Sequence, residues 1–141
     1  MNPLHKPRVL IVEDDRSTCM ILRAMIEKQG GEAICAHTFE EGVEHATSSY
    51  FNFAILDLGF PDLEGDAQDE WTMKIPALPT LVLTADPEAK KKPHHGILGV
   101  FQKRPGKGEL ETMLSQLMDK AWRTAKQFDV ISNMITRLTV T

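Results

Sequence analysis

The sequence predicts an α/β fold: a doubly wound, five-stranded parallel sheet with helices on both faces. Three observations predict it. Short apolar, β-branched runs alternate with helical stretches five times along the chain, the pattern of strand–helix units in a parallel sheet. The strand runs are continuously apolar, as in strands covered on both faces. Several of them also end in a polar group: Glu13-Asp14 after the first, Asp57 at the third, Thr84 at the fourth, Lys103 at the fifth. In open sheets of this kind, ligands bind beyond the carboxyl ends of the strands.

Arg8 to Val12 (RVLIV) is strand one, ending in Glu13-Asp14-Asp15. Asp15 is placed to cap the helix Arg16 to Gln29, where Ile21, Leu22, Met25 and Ile26 recur at helical spacing. Gly30-Gly31 stops that helix. Glu32 to Ala36 (EAICA) is strand two. Thr38 caps the second helix, which runs to about Thr47, with Glu41 completing a capping box. Strand three is Phe53 to Asp57, after which Gly59 and Pro61 turn the chain. A weak helix is expected over Glu64 to Lys74, with Gly65 inside its start.

Pro79 to Leu83 is strand four, ending in Thr84. Asp86-Pro87-Glu88 starts a fourth helix that Pro93 cuts short. Gly96 to Gln102 is strand five, ending in Lys103. The last helix begins near Gly108. Along it Leu110, Leu114, Leu117, Ala121, Thr124, Phe128, Ile131, Ile135 and Leu138 alternate four and three apart, a heptad seam. A helix that only covers a sheet needs about four turns, so the stretch beyond about Lys120 has to bury its stripe elsewhere. The expected division is a domain over 6–118 and a helical extension, coiled coil or linker, over 119–141. A strand order of 2-1-3-4-5 with right-handed crossovers places strands one and three side by side at the switch point.

Composition narrows the function. A chain of 141 residues has room for one ordinary domain with its own core. A net charge of −4 argues against binding nucleic acid or an anionic membrane. Cys19 and Cys35 form no CxxC motif and read as reduced thiols of a cytoplasmic protein. The N-terminal residues lack an apolar signal region, and no run is long enough to span a bilayer. His94-His95 are adjacent rather than four apart and read as loop, not as a metal pair. Lys90-Lys91-Lys92 reads as a solvated turn, and Met20, Met25, Met113 and Met118 as core or seam filler.

The predicted strand order gathers Glu13, Asp14 and Asp57 at one end of the sheet. Three carboxylates in one crevice repel one another unless a cation sits among them. Hard oxygen donors with open positions suit Mg²⁺ (or Mn²⁺). Thr84 adds a hydroxyl, and Lys103 a mobile ammonium suited to a phosphoryl oxygen. Together they make a phosphoryl-accepting site in which Asp57 is the nucleophile and forms an acyl phosphate.

This ordered set resembles the receiver domain of response regulators in two-component signalling. Glu13-Asp14, Asp57, Thr84-Ala85 and Lys103 carry the resemblance, backed by Pro61, Gly65 and Gly96, over about Lys6 to Leu117. It implies the flavodoxin-like receiver fold, and a signalling protein that at most catalyses its own phosphorylation and dephosphorylation. It implies a histidine kinase or histidine phosphotransfer protein as donor to Asp57. It implies Mg²⁺ held by Glu13, Asp14, Asp57 and the backbone carbonyl of Gly59, Glu13 acting through water. Thr84 and Lys103 would read the phosphoryl group.

The sequence also departs from the family pattern. Arg104 stands between Lys103 and Pro105, so the usual cis Lys-Pro peptide is replaced by a bond expected to be trans. Val100 occupies the slot of the switch aromatic, with Phe101 next to it on the opposite strand face. These departures leave room for a second class of function, a phosphate-independent interaction or dimerisation module. The C-terminal seam fits a parallel homodimer, or a helix folded back on its own domain. A haloacid-dehalogenase-type hydrolase would need a second Asp two residues after the nucleophile, where Gly59 stands. Gly59 also leaves the mouth of the site open to water. Whether phospho-Asp57 is short-lived is therefore testable by its decay rate, and a lifetime of many hours would count against an unobstructed hydrolytic path.

Overall fold

Five parallel strands form one sheet in the order β2-β1-β3-β4-β5, as the alternating pattern predicts. The computed structural model describes residues 6–57, 67–84, 97–102 and 109–139. The strands are β1 (Arg8–Val12), β2 (Glu32–Ala36), β3 (Phe53–Asp57), β4 (Thr80–Thr84) and β5 (Ile97–Gln102). The helices are α1 (Arg16–Lys28), α2 (Phe39–Ser48), α3 (Ala67–Lys74) and α4 (Glu109–Thr139). The expected short helix at Asp86, its stop at Pro93, Lys90-Lys91-Lys92 and His94-His95 all lie outside the described residues.

Strand alternation divides the core in two. Val9, Ile11, Phe53, Ile55, Leu81 and Leu83 face α1 and α4, packing on Leu22, Ile26, Leu114 and Met118. Leu10, Val12, Ala54 and Leu56 face α2 and α3, packing on Phe39, Trp71 and Ile75. Every residue of β3 is buried, which explains its unbroken apolar composition ahead of Asp57. Trp71 fills the second cluster, donates its indole N–H to Thr80 Oγ1 at 2.9 Å and meets Phe39 edge-on. No described helix is long and apolar enough to cross a membrane.

The caps follow local chemistry. Asp15 accepts from the Thr18 backbone N–H and hydroxyl and starts α1. At its other end Gly30 adopts φ 83°, its N–H donating to the Glu27 carbonyl while the Gly31 N–H reaches Ile26. This is the paired-bond helix stop that glycine permits. The helical face is rotated from the expected one. Cys19, Leu22 and Ile26 are buried, whereas Ile21 is 55% and Met20 71% exposed. At α2 the Glu41 N–H donates to Thr38 Oγ1, but the Glu41 carboxylate accepts from His37 N–H rather than completing the box on Thr38.

The first half of α4 is part of the sheet's cover. Leu114 and Met118 are fully buried, with Leu110, Met113 and Leu117 packed beside them. A Cβ on Gly31 would come within 2.5 Å of Met118 Cε, so the glycine lets the helix in. Trp122 stacks over Gly30 and donates its indole N–H to the Gln29 carbonyl at 3.0 Å, closing the end of α1. Beyond that point Met134 and Ile135 are each 56% exposed. Trp122→Phe keeps the ring contact but deletes the bond to Gln29. It should cost about 1 kcal/mol, read as a lower urea midpoint with an unchanged slope.

Candidate functional site

The β1–β3 ladder ends on Val12 paired with Leu56. Glu13 and Asp14 therefore leave β1 just where Asp57 closes β3. Carboxylate oxygens of Glu13, Asp14 and Asp57 lie within 4.8 Å of one another. Glu13 and Asp57 are 1% and 2% exposed, while Asp14 is open to solvent. Two nearly dry carboxylates beside a third demand compensation. The donor set is hard, anionic and open on the Asp14 side, which suits a small divalent cation that keeps some of its water. Part of the compensation is local, because α1 starts at Arg16, directly after the acidic run, which brings its positive N-terminal end close to Glu13 and Asp14.

Local bonds hold the acid pair. The Glu13 N–H extends the β2 ladder by donating to the Ala36 carbonyl at 2.9 Å. Glu13 Oε1 accepts from the Asp15 N–H at 3.2 Å, and the Glu13 carbonyl accepts from His37 Nδ1 at 3.2 Å. A carbonyl can only accept, so Nδ1 carries the proton. His37 was not singled out by residue type or spacing. The strand order could have found it, since the end of β2 adjoins the end of β1.

Thr84 is the last residue of β4 and is buried. It sits one residue past Leu83, the partner of Asp57. Across the sheet Thr84 pairs with Gln102, Val82 with Val100 and Leu83 with Phe101. The β4–β5 register does slip, but between Thr80 and Leu81, and Phe101 stays off the row of Thr84. Lys103, Gly59, Pro61, Gly65, Ala85, Gly96 and the Arg104-Pro105 pair lie outside the described residues. Near this end, Cys19 and Cys35 are free thiols, and Glu13 is among the groups acting on Cys19. Burial, with Cys35 alongside, pushes the Cys19 thiol upward and keeps it protonated.

Comparison with known proteins agrees with this geometry. The sequence profile described as "Response regulator receiver domain" matches residues 9–115. The KDP operon transcriptional regulatory protein KdpE of Escherichia coli is 34% identical over 84 residues, covering 60% of this chain and 37% of that protein. The transcriptional regulatory protein ZraR of Escherichia coli is 30% identical over 78 residues, covering 55% of this chain and 18% of that protein. The chain thus matches well under half the length of either relative. Among solved structures, the signal receiver domain of an HD domain-containing protein from Pseudomonas fluorescens Pf-5 superposes with a TM-score of 0.70 at 17% identity. It covers 89% of this chain and 96% of its own. A CheY-like receiver domain from Methanospirillum hungatei JF-1 gives 0.66 at 19% identity, covering 84% and 98%. Identities this low establish the fold.

A cation binding to the folded cluster should stabilise the protein by mass action, by about 2.7 kcal/mol at a hundred times its Kd. Mg²⁺ is therefore expected to raise the melting temperature, and EDTA to reverse the rise. Asp14→Asn should remove the Mg²⁺-dependent part while leaving the metal-free protein as stable or more so, because one repelling charge is gone.

Proposed function

We propose that this chain, which belongs to the response regulator receiver domain family, accepts a phosphoryl group on Asp57 from a phosphohistidine donor and relays the change to other proteins. The observation that carries this is the gathering of Glu13, Asp14 and Asp57 within 4.8 Å at the ends of β1 and β3. An Asp57 carboxylate oxygen attacks phosphorus, the P–N bond to the donor imidazole breaks with its electron pair going to nitrogen, and the donor ring, already protonated on its other nitrogen, leaves as neutral imidazole. Burial of Asp57 at the end of β3 restricts its carboxylate to a few orientations. Asp14, on the open side, Glu13, Asp57 and the Gly59 carbonyl are the groups that would hold Mg²⁺. When bound, the ion offsets charge on the transferring oxygens. Thr84 donates its hydroxyl to the phosphoryl group, and Lys103 supplies an ammonium. A histidine kinase or phosphotransfer protein is the partner this chemistry needs, and a cytoplasmic location suits it and the two free thiols.

Output runs through protein contacts and the long helix. The domain spans 6–118 and the extension covers 119–141, a reading supported by the unbroken run of α4 to Thr139 and its anchor at Trp122. Two copies pair in parallel through Thr124, Phe128, Ile131, Ile135 and Leu138, a pairing favoured by the exposure of Ile135 and its neighbour Met134. Val100 in place of the switch aromatic implies that phosphorylation and conformational response are less tightly joined than is usual.

The protein incubated with acetyl phosphate and Mg²⁺ should gain the mass of one phosphoryl group. Asp57→Asn or EDTA should abolish the gain. Light scattering on the same samples should show a dimer whose population depends on the terminal helix. Absence of uptake together with absence of Mg²⁺ binding would favour the phosphate-independent interaction module.

A further inference from the structure

We propose that His37 is a positioning residue for the acidic cluster, its ring fixing the peptide that joins Glu13 to Asp14; this role rests on the proposed cation site. The two peptide planes that meet at the Glu13 Cα are both tied to the end of β2. The plane before it is held by the Glu13 N–H on the Ala36 carbonyl at 2.9 Å. The plane after it is held by His37 Nδ1–H on the Glu13 carbonyl at 3.2 Å. A peptide unit is rigid from one Cα to the next. Orienting the Glu13 carbonyl therefore fixes where the Asp14 Cα lies, and leaves only the dihedrals of Asp14 itself to aim its carboxylate. With both planes fixed, the two soft dihedrals of Glu13 are set as well.

His37 is itself held. Its backbone N–H donates to Glu41 Oε2 at 3.0 Å, and the Glu41 N–H is bound by Thr38 Oγ1 at 3.1 Å. The start of α2 thus braces the imidazole, and the imidazole braces the acid pair. The gathered ligand atoms belong to the three carboxylates and not to the ring, so His37 acts through Glu13 rather than on a cation directly. Outer-shell hydrogen bonds of this kind change metal affinity by about ten- to a hundredfold when removed.

The test is a calorimetric Mg²⁺ titration of the full chain, comparing wild type with His37→Leu, His37→Asn and Asp14→Asn. Leucine deletes the donor. Asparagine places an amide N–H close to where Nδ1 stood. His37→Leu should bind about tenfold more weakly, and His37→Asn should recover most of that loss. Melting without metal separates positioning from folding, since a purely structural role would lower the metal-free transition and leave the affinity intact. In wild type, ¹⁵N NMR of the neutral ring should show the proton on Nδ1, a readout that needs no variant. Wild-type affinity in His37→Leu, equal losses in the Leu and Asn variants, or a proton on Nε2 would each overturn the role of His37 alone. A wild-type protein that binds no Mg²⁺ would overturn the cation site and this role together.

Discussion

The pairing of Val12 with Leu56 at the end of the β1–β3 ladder is the constraint on which the site depends. Side chains alternate along a strand, so a slip of one residue would exchange the two core faces and turn Asp57 away from the acid pair. The register is held by burial on both sides of the sheet, since Val9 to Val12 and Phe53 to Asp57 are all buried. That same burial makes the site unequal. Glu13 and Asp57 are removed from water while Asp14 meets it. Burial of carboxylates is tolerated only with compensating charge or hydrogen bonds. The β2 end, the start of α1 and a cation entering past Asp14 can each supply part of it.

The long helix has two regimes set by what lies beneath it. Up to Trp122 it behaves as a helix on a sheet, burying Leu114, Met118 and Ala121 with Met113 and Leu117 at the edges. That stripe is wider than an a/d seam because a sheet presents a broad surface. Its close approach to the end of α1 depends on two glycines. Gly30 adopts a positive φ under the Trp122 ring, and Gly31 leaves room for Met118. Past the sheet only the heptad positions remain to guide burial, and the residue types there suit another helix better than water.

Most of the fold was legible because strand composition and helix caps are local. The unbroken run Phe53 to Leu56 announced a strand covered on both sides, and Asp15 and Gly30 marked the ends of α1. What misled was helical phase. Ile21 looks like core by hydrophobicity, yet Cys19 takes that place. Over one 13-residue helix, a small rotation about the axis is decided by the sheet beneath and not by the apolar count. Glu41 was rightly placed in a cap, but its carboxylate reaches His37, because the neighbouring ends of β1 and β2 draw His37 inward. Trp71 carried no local signal at all, since α3 has almost no apolar periodicity of its own and buries Trp71 beside Gln68.

The sequence by itself determined which groups stand at strand ends: Glu13-Asp14, Asp57 and Thr84, each following a run apolar enough to be buried. Their chemistry is a property of residue type and order, which the chain states directly. Only the tertiary structure decided how closely the carboxylates of residues 13 and 57 approach, that one carboxylate of the three faces water, and that the His37 ring bonds to the Glu13 carbonyl. Those outcomes come from ladder register and helix docking. Both are set by the burial of side chains far apart in the chain, and local sequence has no means of expressing them.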